Sequence, residues 1–200
     1  MKNADIAIGK GIFGSESNFK DRFYKDHKKL AHLVNHFKGL GCKIVLTQGT
    51  YDMVHIGHAR YLEEARRNGD FLIVGVDSDE KVRFRKGPER PVVPQEERLE
   101  MLTHLRCVDV VFLKQLKDPK WALIKTVKPD VLIATKETYT KQQLKELKKY
   151  AGKVMVLEPR ATTSTSAKIR RLQIGTAKKI GEALTPKLIQ TIEDVLSAMK

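Results

Sequence analysis

Short apolar runs rich in β-branched residues alternate with segments of helical periodicity along most of the chain. The runs predict five strands, at residues 43–46, 70–76, 108–113, 131–134 and 154–157. Amphipathic helical patterns lie between them, at residues 58–68, 95–105, 119–127 and 140–150. Nearly continuous apolar strands separated by helices are typical of a parallel sheet with right-handed crossovers. The pattern therefore predicts a Rossmann-like α/β sandwich, with a five-stranded parallel sheet and helices on both faces.

The two ends of the chain add helical patterns outside this alternation. Residues 18–37 predict one amphipathic helix that is closed by Gly39 and Gly41. Residues 166–173 also look helical, and residues 186–199 carry an apolar stripe that we interpret as core or dimer packing. We therefore expect an N-terminal arm and helix over residues 1–40, a central domain over 41–174 and a helical extension over 175–200.

The composition restricts the partners of the chain more than its fold. A formal net charge of +14 attracts phosphate groups of any kind, whether in nucleotides, nucleic acids or anionic lipids. No apolar run approaches the roughly 20 residues that a membrane-spanning helix needs, so we expect no membrane partner. The first ten residues lack the apolar core of a secretory signal, which favours a cytoplasmic protein.

The loop after the first predicted strand is the candidate ligand site, because ligands of such sheets bind beyond the carboxyl ends of the strands. It spans residues 48–56 and leads through His55, Gly57 and His58 into a predicted helix. A helix N-terminus offers amide N–H groups and a partial positive charge to a phosphate, and two imidazoles add donors. Histidines near a turn can also be surface groups or helix caps.

Two cations elsewhere are candidate ligand contacts, each with an alternative reading. Lys86 lies in a predicted loop bounded by glycine and proline, where it could close over phosphates or be solvated. Arg98 lies in a predicted helix, where it could reach the ligand or pair with Glu96 or Glu97.

Two carboxylates could each have more than one role. Asp77 ends the second predicted strand, where it could meet a hydroxyl of the ligand, cap the next segment or face water. Asp52 could orient an acceptor or approach a magnesium ion, although aspartate in a turn commonly bonds to its own backbone.

The loop sequence GTYDMVHIGH resembles the GTFDxxHxGH signature of the cytidylyltransferase-like nucleotidyltransferases. The run KGPERPVVPQEERLEMLTHLRCVDVV is most similar to the nucleotidyltransferase domain of the bacterial heptose-phosphate enzyme that makes ADP-heptose, and less so to glycerol-3-phosphate cytidylyltransferase. Residues 159–169 resemble the RTxGISTS element of the family. They depart from it in their threonine-rich centre and in the position of Arg160, and residues 134–139 depart from the loop usual in heptose-type domains.

The resemblance implies that a phosphate oxygen of a small phosphorylated acceptor attacks the α-phosphorus of a nucleoside triphosphate and releases pyrophosphate. The implied catalytic residues are His55, His58, Lys86 and Arg160. The implied nucleotide-binding residues are Gly49, Thr50, Tyr51, Gly57, Ser164, Thr165 and Ser166, and the implied acceptor-binding residues are Asp52, Asp77 and Arg98. Mg²⁺ would accompany the triphosphate, and no protein metal site is expected.

The resemblance leaves the substrates open. ATP with a heptose 1-phosphate is favoured, and CTP with glycerol 3-phosphate or ethanolamine phosphate, or ATP with FMN, are the alternatives. From another class, the charge of +14 fits a nucleotide-binding or nucleic-acid-binding module, although a complete phosphate signature makes nucleic acid the weaker expectation. The amphipathic segments 19–37 and 188–199 are candidates for homodimer contacts, with covering of the sheet as the alternative.

Overall fold

The structure is a computed structural model that describes Ile12, Gly14 and residues 16–135, 138–158 and 165–198, without the side chains of 165–168 and 198. The chain divides into two compact units, Met1–Ala161 and Thr162–Lys200. The first unit contains the sheet and the helices that pack on it. The described part of the second unit is one helix.

The described secondary structure follows the predicted alternation. The strands are β1 (Phe23–Tyr24), β2 (Ile44–Gly49), β3 (Phe71–Asp77), β4 (Val110–Lys114), β5 (Val131–Thr135) and β6 (Lys153–Leu157). The helices are α1 (Phe19–Arg22), α2 (His27–Gly39), α3 (Ile56–Arg66), α4 (Asp79–Lys86), α5 (Gln95–Thr103), α6 (Ala122–Val127), α7 (Lys141–Leu147) and α8 (Thr165–Ala198).

The six strands form a single parallel sheet in the order β1-β4-β3-β2-β5-β6. The chain starts the main sheet in its centre at β2, proceeds outward through β3 and β4, and then crosses back to β5. The strand order therefore reverses between β2 and β5, which is where a crevice opens at the carboxyl ends of such a sheet. The predicted parallel α/β architecture is confirmed, while the predicted number of five strands is wrong by one.

The additional strand arises in the segment for which one continuous helix, 18–37, was predicted. Phe23 and Tyr24 leave the helical path and pair with Val111 and Phe112 at the edge of the sheet. The Asp26 carboxylate then accepts the amide protons of the first turn of α2 and starts a new helix. Unmet hydrogen-bonding groups at a sheet edge favour such pairing, and helical periodicity does not reveal it.

Both faces of the four inner strands are buried, as the apolar strands predicted. On β3, Leu72 and Val74 point into the core beneath α3 and α5, whereas Phe71 and Ile73 point into the core beneath α2 and α6. Every residue of β3 is buried. This alternation fixes the register of the central strands, because a slip of one residue would exchange the two cores.

Helix α8 is continuous through residues 165–198 and contains Pro186. The two separate helical patterns predicted in this region therefore belong to one helix. Within this unit Leu184, Leu188 and Ile192 are all exposed. The apolar stripe is thus not a core inside the unit, and its pairing with a second copy stays a prediction. Among the described residues, no helix combines the length and apolar character that crossing a membrane requires.

Candidate active site

The two histidines of the loop signature form the start of α3. His55 is the N-cap residue, and its Nδ1 accepts the amide proton of Gly57 at 3.1 Å. The amide of His55 in turn donates to Nδ1 of His58 at 3.3 Å, and the two ring centroids lie 4.1 Å apart. This reciprocal arrangement is a capping box made by two imidazoles. The two histidines can therefore cap the helix and still contact a ligand.

The same hydrogen bonds determine which nitrogen of each imidazole can donate. Because Nδ1 of His55 and of His58 accepts an amide proton, the proton of the neutral ring lies on Nε2. Each ring is thereby set to donate from Nε2 at a helix N-terminus that carries partial positive charge. An anion is the ligand that this arrangement suits.

The loop between β2 and α3 is shaped by two non-glycine residues in the left-handed region, Tyr51 at φ 54° and Met53 at φ 53°. The Tyr51 side chain is only 5% exposed, packs into the core beneath α3, and meets the His58 ring edge-on at 5.6 Å between centroids. Burial raises the pKa of the Tyr51 hydroxyl well above its ordinary value. Its side chain therefore supports His58 from inside the protein.

Asp52 is turned inward and holds the segment that follows α4. Its carboxylate accepts the Val92 and Val93 amide protons and pairs with Arg90 at 2.8 Å. Burial acts to raise the pKa of Asp52, but the two amides and Arg90 outweigh it and lower the pKa. These contacts favour a positioning role for Asp52, and its predicted contact with an acceptor stays a prediction.

The Arg98 guanidinium is also engaged in hydrogen bonds inside the protein. Its side chain is fully buried, and its guanidinium donates to the carbonyls of Thr50, Asp77 and Val93 and to a carboxylate oxygen of Asp79 at 2.8 Å. The pairing with Glu96 or Glu97 considered from the sequence is not observed. Arg98 instead ties the β2–α3 loop to the end of β3. Its predicted contact with an acceptor stays a prediction, and these four hydrogen bonds favour a positioning role for Arg98.

A cavity of about 530 Å³ lies at the carboxyl ends of β2, β3, β4 and β5. Of the predicted site residues, Gly49, Thr50, Asp77 and Lys86 line it. The side chains of His55 and His58 do not, so the histidines and the cavity are neighbouring parts of one edge of the sheet. Cations dominate the charged lining, which comprises Lys81, Arg85, Lys86, Lys114, Lys120, Asp77 and Asp118.

Lys86 is the last residue of α4, so the loop expected around it is wrong. Ser78 is the N-cap residue of α4, its hydroxyl oxygen accepts the Lys81 amide proton, and the helix ends where Gly87 takes φ 94°. Partial desolvation and the neighbouring guanidiniums of Arg90 and Arg85 lower the pKa of Lys86. The ammonium group nevertheless lines the cavity, where the sequence placed a phosphate-binding cation.

The sequence did not single out several residues that line the far wall of the cavity. Lys114 ends β4, and Trp121 precedes α6 with the Lys120 ammonium 4.2 Å from its ring centroid. Tyr139 accepts a hydrogen bond from Gln48 at 3.1 Å, and burial raises the pKa of its hydroxyl. Their only sequence signal is position, because Lys114 and Tyr139 follow the ends of predicted strands, where side chains converge, and Trp121 lies at the start of the next predicted helix.

The late motif falls mostly outside the described residues. Arg160 and Ser164 are not described, and Thr165 and Ser166 begin α8 without described side chains. Lys136, in the loop that departs from the family pattern, also lies outside the described residues. Thr135 and Thr138 of the same loop line the cavity. The roles of these residues stay predictions.

The described residues contain no group of three or more His, Cys, Asp or Glu side chains that could hold a metal ion. The two carboxylates of the cavity are already engaged, Asp77 with two cations and Asp118 with the amide of Gln115. These residues fit a magnesium ion that is carried by phosphate oxygens better than one held by the protein.

Comparison with known proteins decides the family. The family model of the cytidylyltransferase-like proteins matches residues 46–183, more than half of the chain. The chain belongs to the cytidylyltransferase-like family. The matched region includes the β2–α3 loop, the cavity strands and the start of α8, and the expected class, a nucleotidyltransferase, is confirmed.

Curated relatives of this family member carry the name bifunctional protein HldE. The one from Geobacter metallireducens is 34% identical over 84% of this chain, and the one from Methylobacillus flagellatus is 39% identical over 70% of it. The matched regions are only 38% and 29% of the lengths of those relatives. The chain thus spans less than half of either relative.

Two solved structures share the fold. A lipopolysaccharide core biosynthesis protein from Thermoplasma volcanium is matched over all of its length and 60% of this chain, with a TM-score of 0.54 and 26% identity. A pantoate-beta-alanine ligase from Francisella tularensis, at 17% identity and a TM-score of 0.54, covers 72% of this chain and is matched over 68% of its own length. At that identity the second likeness shows the fold alone.

Proposed function

We propose that this family member transfers the AMP moiety of ATP to the phosphate of a heptose 1-phosphate or similar sugar phosphate and releases pyrophosphate. One observation carries the proposal: a capped helix N-terminus with two imidazole donors adjoins a cavity that five Lys and Arg side chains line. Such an edge suits two phosphorylated substrates side by side. The resemblance of residues 86–111 to the heptose-phosphate enzyme and the likeness to a lipopolysaccharide core biosynthesis protein support the choice of a sugar phosphate.

In this proposal the triphosphate lies against the N-terminus of α3. His55 and His58 donate from Nε2 to oxygens that gain negative charge as the bond between the α- and β-phosphates breaks. The acceptor phosphate already carries negative charge, so its oxygen attacks the α-phosphorus without a strong general base. Catalysis would rest on positioning and on preorganised donors. Mg²⁺ would be bound chiefly by the triphosphate and would neutralise part of its charge.

The decisive experiment is pyrophosphate release by the full chain with each pair of ATP or CTP and a phosphorylated acceptor. The acceptors are a heptose 1-phosphate, glucose 1-phosphate, glycerol 3-phosphate, ethanolamine phosphate and FMN, and ³¹P NMR identifies the product. We expect the highest kcat/KM for ATP with the heptose phosphate. A preference for CTP with glycerol 3-phosphate would replace the proposed substrates but keep the reaction.

A salt titration with random duplex DNA tests the non-enzymatic alternative. Binding that depends on phosphate neutralisation weakens steeply with salt, and for this chain we expect little of it at physiological salt. Tight duplex binding at that salt, together with no pyrophosphate release from any pair, would contradict the proposed function.

A further inference from the structure

The buried carboxylate at the end of β3 holds two cations. Asp77 lies opposite Lys114 in the register of β3 and β4, and its Oδ1 accepts from Lys114 Nζ at 2.9 Å. Its Oδ2 accepts from Arg85 of α4 at 2.8 Å. The Asp77 side chain is 2% exposed, so both of its oxygens are committed to these cations inside the protein.

A third cation joins them on the same wall of the cavity. Lys81, one turn before Arg85 on α4, lines the cavity and donates to the Gln115 carbonyl at 3.2 Å. Lys81, Arg85 and Lys114 together carry three positive charges against the one negative charge of Asp77. The excess of two positive charges is close to the charge of about −1.5 to −2 that a phosphate monoester carries near neutral pH, because its second pKa is about 6.

Balancing the charge of Asp77 does not by itself explain why three cations lie on this wall of the cavity. One cation is enough to balance a buried aspartate, so Arg85 and Lys81 bring positive charge to this wall that Asp77 does not need. Lys114 is only 15% exposed, and burial lowers its pKa, while the Asp77 carboxylate opposes that shift. Gly75, just before the end of β3, leaves the space that the Lys114 side chain occupies, since a Cβ there would lie 2.9 Å from Lys114 Cδ.

We propose that Lys114, Arg85 and Lys81 bind the phosphate group of the acceptor, and that Asp77 is a positioning residue that holds Lys114 and Arg85 without contacting the acceptor. This inference rests on the proposed function and deepens it. It separates the acceptor wall, formed by these three cations, from the triphosphate site at the N-terminus of α3. The predicted role of Asp77 also changes. It does not bind the acceptor itself but positions Lys114 and Arg85, which do.

Steady-state kinetics of Lys114→Met test the division into two sites. Methionine keeps most of the length of the side chain but removes the charge. We expect KM for the acceptor to rise about tenfold or more, the effect of one charge-assisted hydrogen bond, while KM for the triphosphate changes less than about twofold. The matched control is Lys117→Met, because Lys117 is exposed in the same segment and does not line the cavity. A rise confined to KM for the triphosphate overturns the inference.

Two further variants keep the test decisive if Lys114→Met destabilises the fold. Arg85 is half-exposed, so Arg85→Met should fold and should show the same selective rise in KM for the acceptor. Lys114→Arg retains a cation that Asp77 can hold, and it should recover acceptor affinity in part. Equal KM for the acceptor in Arg85→Met and the unsubstituted protein overturns the inference.

Binding without a triphosphate distinguishes failure of this inference from failure of the proposed function. The probes are glucose 1-phosphate and uncharged glucose, titrated calorimetrically into the full chain. We expect the phosphate ester to bind more tightly than glucose, and Lys114→Met to remove that difference. If no pair of substrates turns over, this result still supports the phosphate site. A preference for the ester that persists in both methionine variants overturns it.

Discussion

His58 has two functions in the candidate site, and substitution can separate them. Its Nδ1 accepts the His55 amide proton and so completes the cap of α3. Its Nε2 is the proposed hydrogen-bond donor to a phosphate oxygen. We expect His58→Ala to lower the free energy of unfolding by about 1 kcal/mol through the cap. Turnover should fall at least about a hundredfold, since loss of one preorganised donor costs roughly 3 to 4 kcal/mol in the transition state. Urea unfolding and pyrophosphate release measure the two effects.

His58→Glu is the matched control for this separation. A glutamate at the third position of a helix accepts the amide proton of the cap residue, as His58 does now. The stability should return toward that of the unsubstituted protein, while turnover stays low because a carboxylate cannot donate and repels phosphate. Near-native turnover in His58→Ala would remove His58 from the catalytic residues.

Asp52 gives a prediction about acid stability. Its pKa is lowered in the folded protein, so the carboxylate stabilises the fold fully above the ordinary aspartate pKa of about 3.9, and this contribution is lost as the pH falls through the folded value. Asp52→Asn should lower the free energy of unfolding by about 3 kcal/mol at pH 7, because Arg90 loses its buried partner. The difference between the two proteins should shrink below pH 4.

Urea unfolding at several pH values between 7 and 3 measures this difference. Asp70→Asn serves as the reference, because Asp70 is an exposed carboxylate that accepts the Lys43 amide proton. A gap between Asp52→Asn and the unsubstituted protein that stays constant down to pH 3 would contradict the assignment.

At the scale of elements, β3 and α6 meet closely at Gly75. A Cβ there would lie 2.5 Å from Leu123 Cδ2 of α6 and 3.1 Å from Gln48 Cγ of β2. Gly75→Ala should therefore push α6 away from the sheet, at a cost of about 1 to 3 kcal/mol in the free energy of unfolding. KM for the acceptor should rise as well, because the same methyl group displaces Lys114.

Gly39→Ala is the control for this element, since a Cβ at Gly39 meets nothing within 4 Å. We expect it to be neutral or to stabilise α2 by up to about 1 kcal/mol, because alanine restricts the unfolded chain. If Gly75→Ala is as stable as Gly39→Ala and has an unchanged KM, α6 does not depend on the space at Gly75.

The elements that the sequence misassigned share one physical cause. Residues 18–37 have helical periodicity, yet Phe23 and Tyr24 join the edge of the sheet because Val111 and Phe112 offer them backbone partners. Helix α4 was missed because its short, highly charged sequence lacks an apolar stripe beyond Val82. Local periodicity records side-chain burial, but it does not record partners that lie far along the chain.

At the scale of the whole molecule, we propose that two copies of the chain pair through α8. Ile174, Gly181, Leu188 and Val195 recur every seven residues, and three of them are exposed large apolar side chains. An antiparallel arrangement centred near Gly181 would bring Arg171 of one copy toward the acidic end, near Glu193, of the other. Light scattering should give a mass of about twice 22.7 kDa. Leu188→Asp should return it to the mass of one chain.

Lys179→Asp is the control for the dimer, because Lys179 lies on the side of α8 opposite Leu188 and is exposed. It adds the same carboxylate without touching the apolar stripe, so the dimer should persist. A single-chain mass for the unsubstituted protein at concentrations near 100 μM would contradict pairing through α8.

The sequence by itself determined the parallel sheet, its helices on both faces and the place of the two histidines. These features follow from local periodicity and from a motif of ten consecutive residues, which need no distant partner to be recognised. Only the tertiary structure decided which polar residues line the cavity and which are engaged inside the protein. Asp52 is turned inward by Arg90, 38 residues away, and Arg98 by partners that include Thr50, 48 residues away, while Lys114 meets Asp77 across 37 residues. Such pairs depend on strand register and burial, which no local pattern in the sequence specifies.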